Sequence, residues 1–348
     1  MIDRRDFLRG LMSVTAGLTA GRLALDSTAQ ADDRSGGGVP PTRDRFGELL
    51  PMRRLGRTGE WVTALCFGGS HLVNAEQNDR ERQALLETAM AEGVRFYDNA
   101  RIYGNGEAER AMGQFLTPKY RGAIYLMTKT RARSADEAKR DMDDCRRRLN
   151  VDVIDLMQLH AVRDVADADA RFDHGVVDVL LEAREQGKVR HLGFTGHDSP
   201  AAHLRVLERL AGLGLEFEAC QMPMNVADPG YLSFIDGVLP VLVERGYAVL
   251  AMKTLVFGSI VGKNLGWKRR GEAIAPRLVP ERMSLSEALG FVWSLPVASL
   301  VSGMDEVAMV KENAALLRKH QDLDEAGRRR LVDLAAEFAG PRLEFYKA

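Results

Sequence analysis

Gly93-Val94-Arg95-Phe96-Tyr97-Asp98-Asn99-Ala100-Arg101-Ile102-Tyr103-Gly104 starts as a short strand-like run and ends in a turn that carries an acid and a phenol. Two later runs end in the same manner. Lys129 lies near the end of Ile124 to Thr130, and His160 closes Val153 to His160. A carboxylate, a phenol, an ammonium and an imidazole therefore sit at or just past three successive predicted strands. In a parallel barrel all strand C-termini open onto one rim, so side chains from different strand ends converge where such enzymes place their chemistry. Asp98, Tyr103, Lys129 and His160 are the candidate catalytic group.

The chemistry of the four is mutually consistent. A free tyrosine has a pKa near ~10, so it is a reluctant acid at neutral pH unless a neighbouring cation stabilises its phenolate. Lys129 would supply that cation, Asp98 would keep Lys129 charged and oriented, and His160 would donate to a substrate carbonyl oxygen or share the proton of Tyr103. Such a set suits proton delivery to an oxygen that turns negative as hydride reaches its carbon. Read singly, each residue has a plainer account: a rim aromatic, a solvated lysine, a histidine capping an apolar strand, a turn acceptor. Their order on consecutive strands is what argues for a site.

Outward from that stretch the chain alternates strand and helix. Predicted strands are Ala64 to Gly69, Val94 to Asp98, Ile124 to Thr130, Val153 to His160, Val189 to Thr195, Phe217 to Gln221, Ala248 to Met252 and Ser299 to Ser302. Between and after them, helical periodicity covers Asp79 to Glu92, Ala108 to Leu116, a helix opened by Ser134 and Glu137, Gly175 to Gln186, a helix opened by Ser199-Pro200, Tyr231 to Arg245, Ser286 to Ser294 and Glu306 to Lys319. Eight such units are the count of a closed (β/α)8 TIM barrel. Two connections are long. Ala161 to Asp173 is acidic and reads as a mobile loop, and Lys253 to Met283 carries Trp267, a candidate substrate contact; loops of this length are usually lids or binding loops.

The 348 residues, 45% of them hydrophobic, suffice for one full core, and the net charge of -1 with intermixed signs leaves no basic footprint for nucleic acid. Cys66, Cys145 and Cys220 imply no disulfide framework and no Cys-x-x-Cys cluster. Residues 1–31 read as a cleaved export signal: Arg4-Arg5 resembles the twin-arginine (Tat) motif, Gly10 to Leu25 is weakly apolar and too short for a span, and Ala29-Gln30-Ala31 fits a cleavage site. Periplasmic delivery by the Tat machinery after folding is the expectation, with the catalytic domain at 52–348. Residues 32–51, rich in Gly and Pro, read as a flexible linker.

The ordered set Asp98, Tyr103, Lys129, His160 resembles the catalytic tetrad of the aldo-keto reductases. Arg53 to Gly59 is similar to the hairpin that closes the barrel floor in that family, Glu107 to Gly113 to the helix after the tyrosine, Gly193 to Gly196 to the fifth strand, and Glu312-Asn313 to the adenine-side pair. The resemblance implies carbonyl reduction by NADP(H), with NAD(H) as the other choice, on an aldehyde, ketone or sugar-like substrate. It places the nucleotide along Gly69, Thr195, Gly196, His197, Gln221, Met252, Lys253, Thr254, Leu255, Gly303, Met304, Glu312 and Asn313.

The chain also departs from that family. Where a Ser-Asn pair grips the nicotinamide amide, it has Thr195-Gly196, with His197 next. The stacking aromatic and following Ser become Met252 and Lys253. Gly303, Met304 and Met309 stand where a Lys, Ser and Arg hold the 2'-phosphate of NADPH, which weakens the expected preference for NADP; Lys263 and Lys311 are the candidate cations to compensate, though the sequence does not place them. Two other readings stay open: a barrel that keeps its nucleotide and hardly turns over, and an internally recycled cofactor serving epimerisation or elimination on a sugar.

Overall fold

The computed structural model describes residues 38–73, 78–261 and 282–347, together with a two-stranded ribbon of Lys268–Arg269 and Glu272–Ala273. The signal segment, Lys263 and Trp267 lie outside the described residues.

Eight parallel strands close a barrel. They are β1 Leu65–Gly68, β2 Phe96–Asp98, β3 Tyr125–Thr130, β4 Ile154–Leu159, β5 Val189–Thr195, β6 Ala219–Pro223, β7 Ala248–Met252 and β8 Ser299–Gly303, each paired with its neighbours in chain order and β8 with β1. Helices return the chain between strands, among them Asp79–Ala91, Glu107–Phe115, Ala135–Leu149, Val176–Glu185, Pro200–Gly212, Leu285–Trp293 and Val307–Lys319. Side chains alternate along a strand. Phe96, Tyr125, Met127, Leu156, Ala219, Ala248 and Leu250 therefore form one apolar cluster inside the barrel, and the next residues on the same face, Asp98, Lys129, Gln158, Gln221 and Met252, carry the series upward to the C-terminal mouth. The alternation thus separates an apolar floor from a polar mouth.

The floor is shut by the antiparallel hairpin Met52–Arg54 with Trp61–Thr63, whose Leu55 and Val62 are buried in that interior cluster. Arg53 fixes it to the last unit by donating to the carbonyls of Val297 at 3.0 Å and Trp293 at 2.7 Å.

Three expectations need correction. Part of the expected linker is docked: Arg43–Asp44 pairs with Gly47–Glu48, Phe46 packs edge-on against Tyr120 at 4.9 Å, and Asp44 holds Arg95 at 2.6 Å. Composition missed this because one aromatic, one leucine (Leu50, buried) and one ion pair anchor an otherwise polar segment. The acidic stretch after β4 is a helix, Val165–Asp173, capped by Asp164 and clamped by Arg205 and Arg209, which both reach Asp169 at 2.8 and 2.6 Å. Its acids answer arginines on the helix Pro200–Gly212 that follows β5, so it is not a loop. The helix expected over Tyr231 to Arg245 is split into Phe234–Gly237 and Leu239–Glu244, with Pro240 in the first turn of the second. A helix not foreseen, Glu325–Ala335, follows the barrel, and the chain then runs on to Lys347. Among the described residues no helix is long and apolar enough to cross a membrane.

Candidate active site

Asp98 is the last residue of β2 and Lys129 the fifth of six in β3, and the strand register brings both to the mouth. The Lys129 ammonium is buried and donates to the Asp98 carboxylate, to the Asn99 carbonyl at 2.8 Å and to the Tyr103 hydroxyl at 3.3 Å. Burial works against its charge, but Asp98 and Tyr103 outweigh this and its pKa stands above the ordinary lysine value. Tyr103 reaches the group through the turn after β2. There Tyr103 N–H bonds to the Ala100 carbonyl at 3.0 Å, and Gly104, Asn105 and Gly106 follow in the left-handed region with φ of 55°, 52° and 85°. Gly104 is required, since an added Cβ would stand 2.7 Å from Val73 Cγ1.

Burial pushes the Tyr103 hydroxyl above its usual range, and Lys129 only partly offsets this. The phenol is thus held protonated, a donor at neutral pH. His160, directly after β4, stands edge-on to Tyr103 with ring centroids 6.0 Å apart. Burial, then the charges of Lys129 and Arg131, hold it well below the ordinary histidine range, so its ring is neutral. Its Nδ1 is buried without a hydrogen-bond partner. All four predicted residues are therefore brought together.

Around them is a shell the sequence reading missed. Arg171, fully buried on the helix after β4, donates to the His160 carbonyl at 3.1 Å and to Asp167 at 3.1 Å, and Arg133 pairs with the same Asp167. Behind β3, Thr128 donates to buried Glu109 at 2.6 Å, and Glu109 holds Arg148 at 2.7 Å. The i,i+4 spacing of Asp167 and Arg171 was a helix signal, but it fell in the segment taken for a loop.

The expected nucleotide contacts fare unevenly. Gln221, on β6, has an oxygen that accepts from Gln158 at 3.1 Å, so it is part of the internal network. Gly69 and Gly196 admit no side chain: a Cβ on Gly69 would meet the Asp98 carbonyl at 2.5 Å, and one on Gly196 would overlap the Val162 carbonyl. Thr195 is buried, and half-buried His197 pairs through Nδ1 with the Tyr346 carbonyl at 3.1 Å. At the end of β7 and just past it, Met252, Lys253 and Leu255 are half-buried, and Thr254 carries a buried hydroxyl with no partner. Burial, with Lys129 adding to it, pushes the Lys253 amine down to about 8.

In the eighth unit Gly303 is exposed, with the His71 ring where its side chain would be, and His71 lies 3.7 Å from Asp305. Met304 is wholly buried in the core, which removes it from any ligand surface. Asn313 is buried and donates to Ser302 at 2.9 Å, tying the helix Val307–Lys319 to β8, while Glu312 is exposed. All three cysteines are buried; Cys145 turns inward from its charged helix. Among the described residues no cluster of His, Cys, Asp or Glu would hold a metal ion.

Comparison with known proteins identifies the family and agrees with the barrel fold. The family model described as "Aldo/keto reductase family" matches residues 64–338. The chain is 33% identical over 178 residues to 6-dehydroglucose reductase of Novosphingobium aromaticivorans, a match that covers 46% of this chain and 57% of that protein. It is 26% identical over 302 residues to pyridoxal 4-dehydrogenase of Microbacterium luteolum, covering 71% and 83%. The holo form of an aldo-keto reductase from Bacillus halodurans superposes with a TM-score of 0.67 at 22% identity, over 82% of this chain and 96% of that one.

Proposed function

We propose that this chain, which belongs to the aldo/keto reductase family, is an NAD(P)H-dependent oxidoreductase that reduces an aldehyde or ketone with Tyr103 as general acid. The observation that carries the reading is the Tyr103 hydroxyl 3.3 Å from an ammonium that Asp98 and the Asn99 carbonyl hold in place. When bound, the reduced nicotinamide supplies the hydride. The protein's own part is the proton: the Tyr103 O–H passes it to the carbonyl oxygen, the C=O becomes CH–OH, and Lys129 stabilises the phenolate left behind. Neutral His160 donates a ring N–H to the same oxygen and orients it. In the oxidative direction the phenolate takes the proton back.

The residues present suit a dinucleotide. The unpartnered buried polar atoms Asn99 Nδ2, His160 Nδ1 and Thr254 Oγ1 lie at or beside strand ends of one mouth. Thr195, His197, Met252, Lys253 and Thr254 are the residues we assign to holding the nucleotide, with Lys253 the partner for its phosphates. The substrate class we favour is a small polar carbonyl of sugar type, the chemistry named for the Novosphingobium relative. Tyr103→Phe tests the reading. Carbonyl reduction should fall by ~10²- to 10⁴-fold, the usual worth of general acid catalysis, with nucleotide binding kept; reduction at the wild-type rate would refute it.

We further propose Tat export to the periplasm, on the strength of Arg4-Arg5 and Ala29-Gln30-Ala31. Arg4→Lys with Arg5→Lys should leave an active full-length protein in the cytoplasm. A doubly substituted protein still found shortened outside it would overturn the assignment.

A further inference from the structure

Chain ends fray unless they are tied down. Here the end is tied by a buried ionic cluster. Glu344 is fully buried, and Lys347 and Tyr346 are 3% and 7% exposed. The Lys347 ammonium spends its three N–H groups on Asp228 Oδ1 at 2.7 Å, the Tyr231 carbonyl at 2.7 Å and Glu344 Oε2 at 2.9 Å. Glu344 Oε1 accepts from Asn225 Nδ2 and from the Tyr346 hydroxyl, both at 2.9 Å. Asn225, Asp228 and Tyr231 all belong to the connection after β6.

The same segment reaches the strand ends on either side. Toward β5, the Tyr346 carbonyl is the partner of His197 Nδ1. Toward β7, Phe345 stacks on Phe257 with centroids 5.5 Å apart, and the Lys253 ammonium lies 5.8 Å from the Tyr346 ring centroid. Residues 340–347 thus bridge the connections after β5, β6 and β7, which also carry His197, Lys253 and Thr254. Burying an ammonium with two carboxylates costs several kcal/mol per ion in desolvation, and an apolar contact of like size would stabilise at least as well. What the ions add is a fixed position, and a lock that one broken pair can open.

We infer that residues 340–347 are a C-terminal strap that retains the nucleotide: the strap closes the β5 to β7 side of the mouth, holds His197 in place, and must lift before the nucleotide leaves. The inference rests on the nucleotide-binding reading given above. It makes the nucleotide a resident of the barrel that is oxidised and reduced in place, and slow exchange rather than weak binding is its signature.

The test loads the purified protein with NADH or NADPH and follows release by nicotinamide fluorescence while excess oxidised nucleotide competes. Lys347→Met, and a chain ending at Ala339, should release the nucleotide at least about tenfold faster, the effect falling on dissociation as is usual for related complexes. Unchanged release in both variants overturns the strap, even if they melt at lower temperature. Because either variant can misfold, carboxypeptidase digestion of the wild-type chain supplies a second reading. Bound nucleotide should slow loss of the last residues, and equal digestion with and without it counts against the strap. Failure of the wild type to bind either nucleotide removes both the strap and the reading beneath it, whereas binding with unchanged release removes the strap alone.

Discussion

The half of the mouth built by β1 to β4 and the half built by β5 to β8 are held in place differently. In the first half the functional groups hold one another. Asp98, Asn99 and Lys129 lie at adjacent strand ends set by the β2–β3 register, and the turn after β2 brings the Tyr103 hydroxyl to Lys129. In the second half the strand ends are held from outside. His197, Asn225 and Asp228 are fastened by residues at the far end of the chain, 149, 119 and 119 positions away. A constellation that stabilises itself tolerates little change in its members. One fastened from outside can drift in sequence as long as the fastening persists, and the second half holds the positions that the sequence reading set apart from the family resemblance.

The largest effect that sharpens this contrast is in the first half. Lys129→Met and Asp98→Asn should each lower carbonyl reduction by ~10²- to 10⁴-fold, and the double mutant should be little worse than either, because groups acting as a unit are strongly non-additive. Steady-state rates of the four proteins check this. Losses that multiply would mean the two residues act separately and the first half is not self-held.

Next in size is a contrast between two glycines of the second half. An added Cβ on Gly196 overlaps the Val162 backbone carbonyl, whereas one on Gly303 meets the far end of the His71 side chain, which can swing aside. Gly196→Ala should therefore destabilise the barrel by about 1–3 kcal/mol, as overpacking does, while Gly303→Ala should cost under about 1 kcal/mol. Denaturant melts of both variants decide it. Equal losses would mean that backbone and side-chain obstacles are alike here, and that Gly196 is no tighter than the exposed rim.

The smallest effect concerns the choice of nucleotide. With Gly303 exposed, Met304 in the core and Met309 half-buried, no charged partner for a 2'-phosphate stands at those positions. Two lost charge-assisted contacts at about 1.5–3 kcal/mol each remove most of what a clamp supplies, so preference for NADPH over NADH should stay below about a hundredfold. Titration of both nucleotides at low and moderate salt measures it. A preference above about a thousandfold, on the same scale of charge-assisted contacts, would show that a cation such as Lys263 or Lys311 restores the clamp.

The barrel and the strand-borne members of the tetrad were legible because both are periodic, and Tyr103 because it follows Asp98 in the next turn. Alternation along each strand marks its inward face, and the step from Phe96 to Asp98, Met127 to Lys129 and Leu156 to Gln158 tells where the apolar floor gives way to the mouth. Local composition, by contrast, misled at 43–50 and 161–173. Whether a polar segment packs depends on partners far away in sequence: Arg95 for Asp44, Arg205 and Arg209 for Asp169. The same reasoning explains Met304, whose position beside Gly303 suggested a ligand contact that its burial removes.

The sequence by itself determined the eight strand-helix units, the inward face of most strands, and the four residues that meet at the mouth. Apart from Tyr103, which the turn after β2 delivers, each follows from a period of two or of about 3.6 residues and from a fixed topology. The tertiary structure alone decided which polar atoms are already satisfied and which are left for a ligand. It turned Gln221 and Asn313 inward to Gln158 and Ser302, left Thr254 Oγ1 without a partner, and carried Lys347 across to Asp228. Hydrogen bonds and ion pairs between distant segments have no period for a sequence to show. They exist only once the barrel has closed and burial has made an unpaired polar group costly.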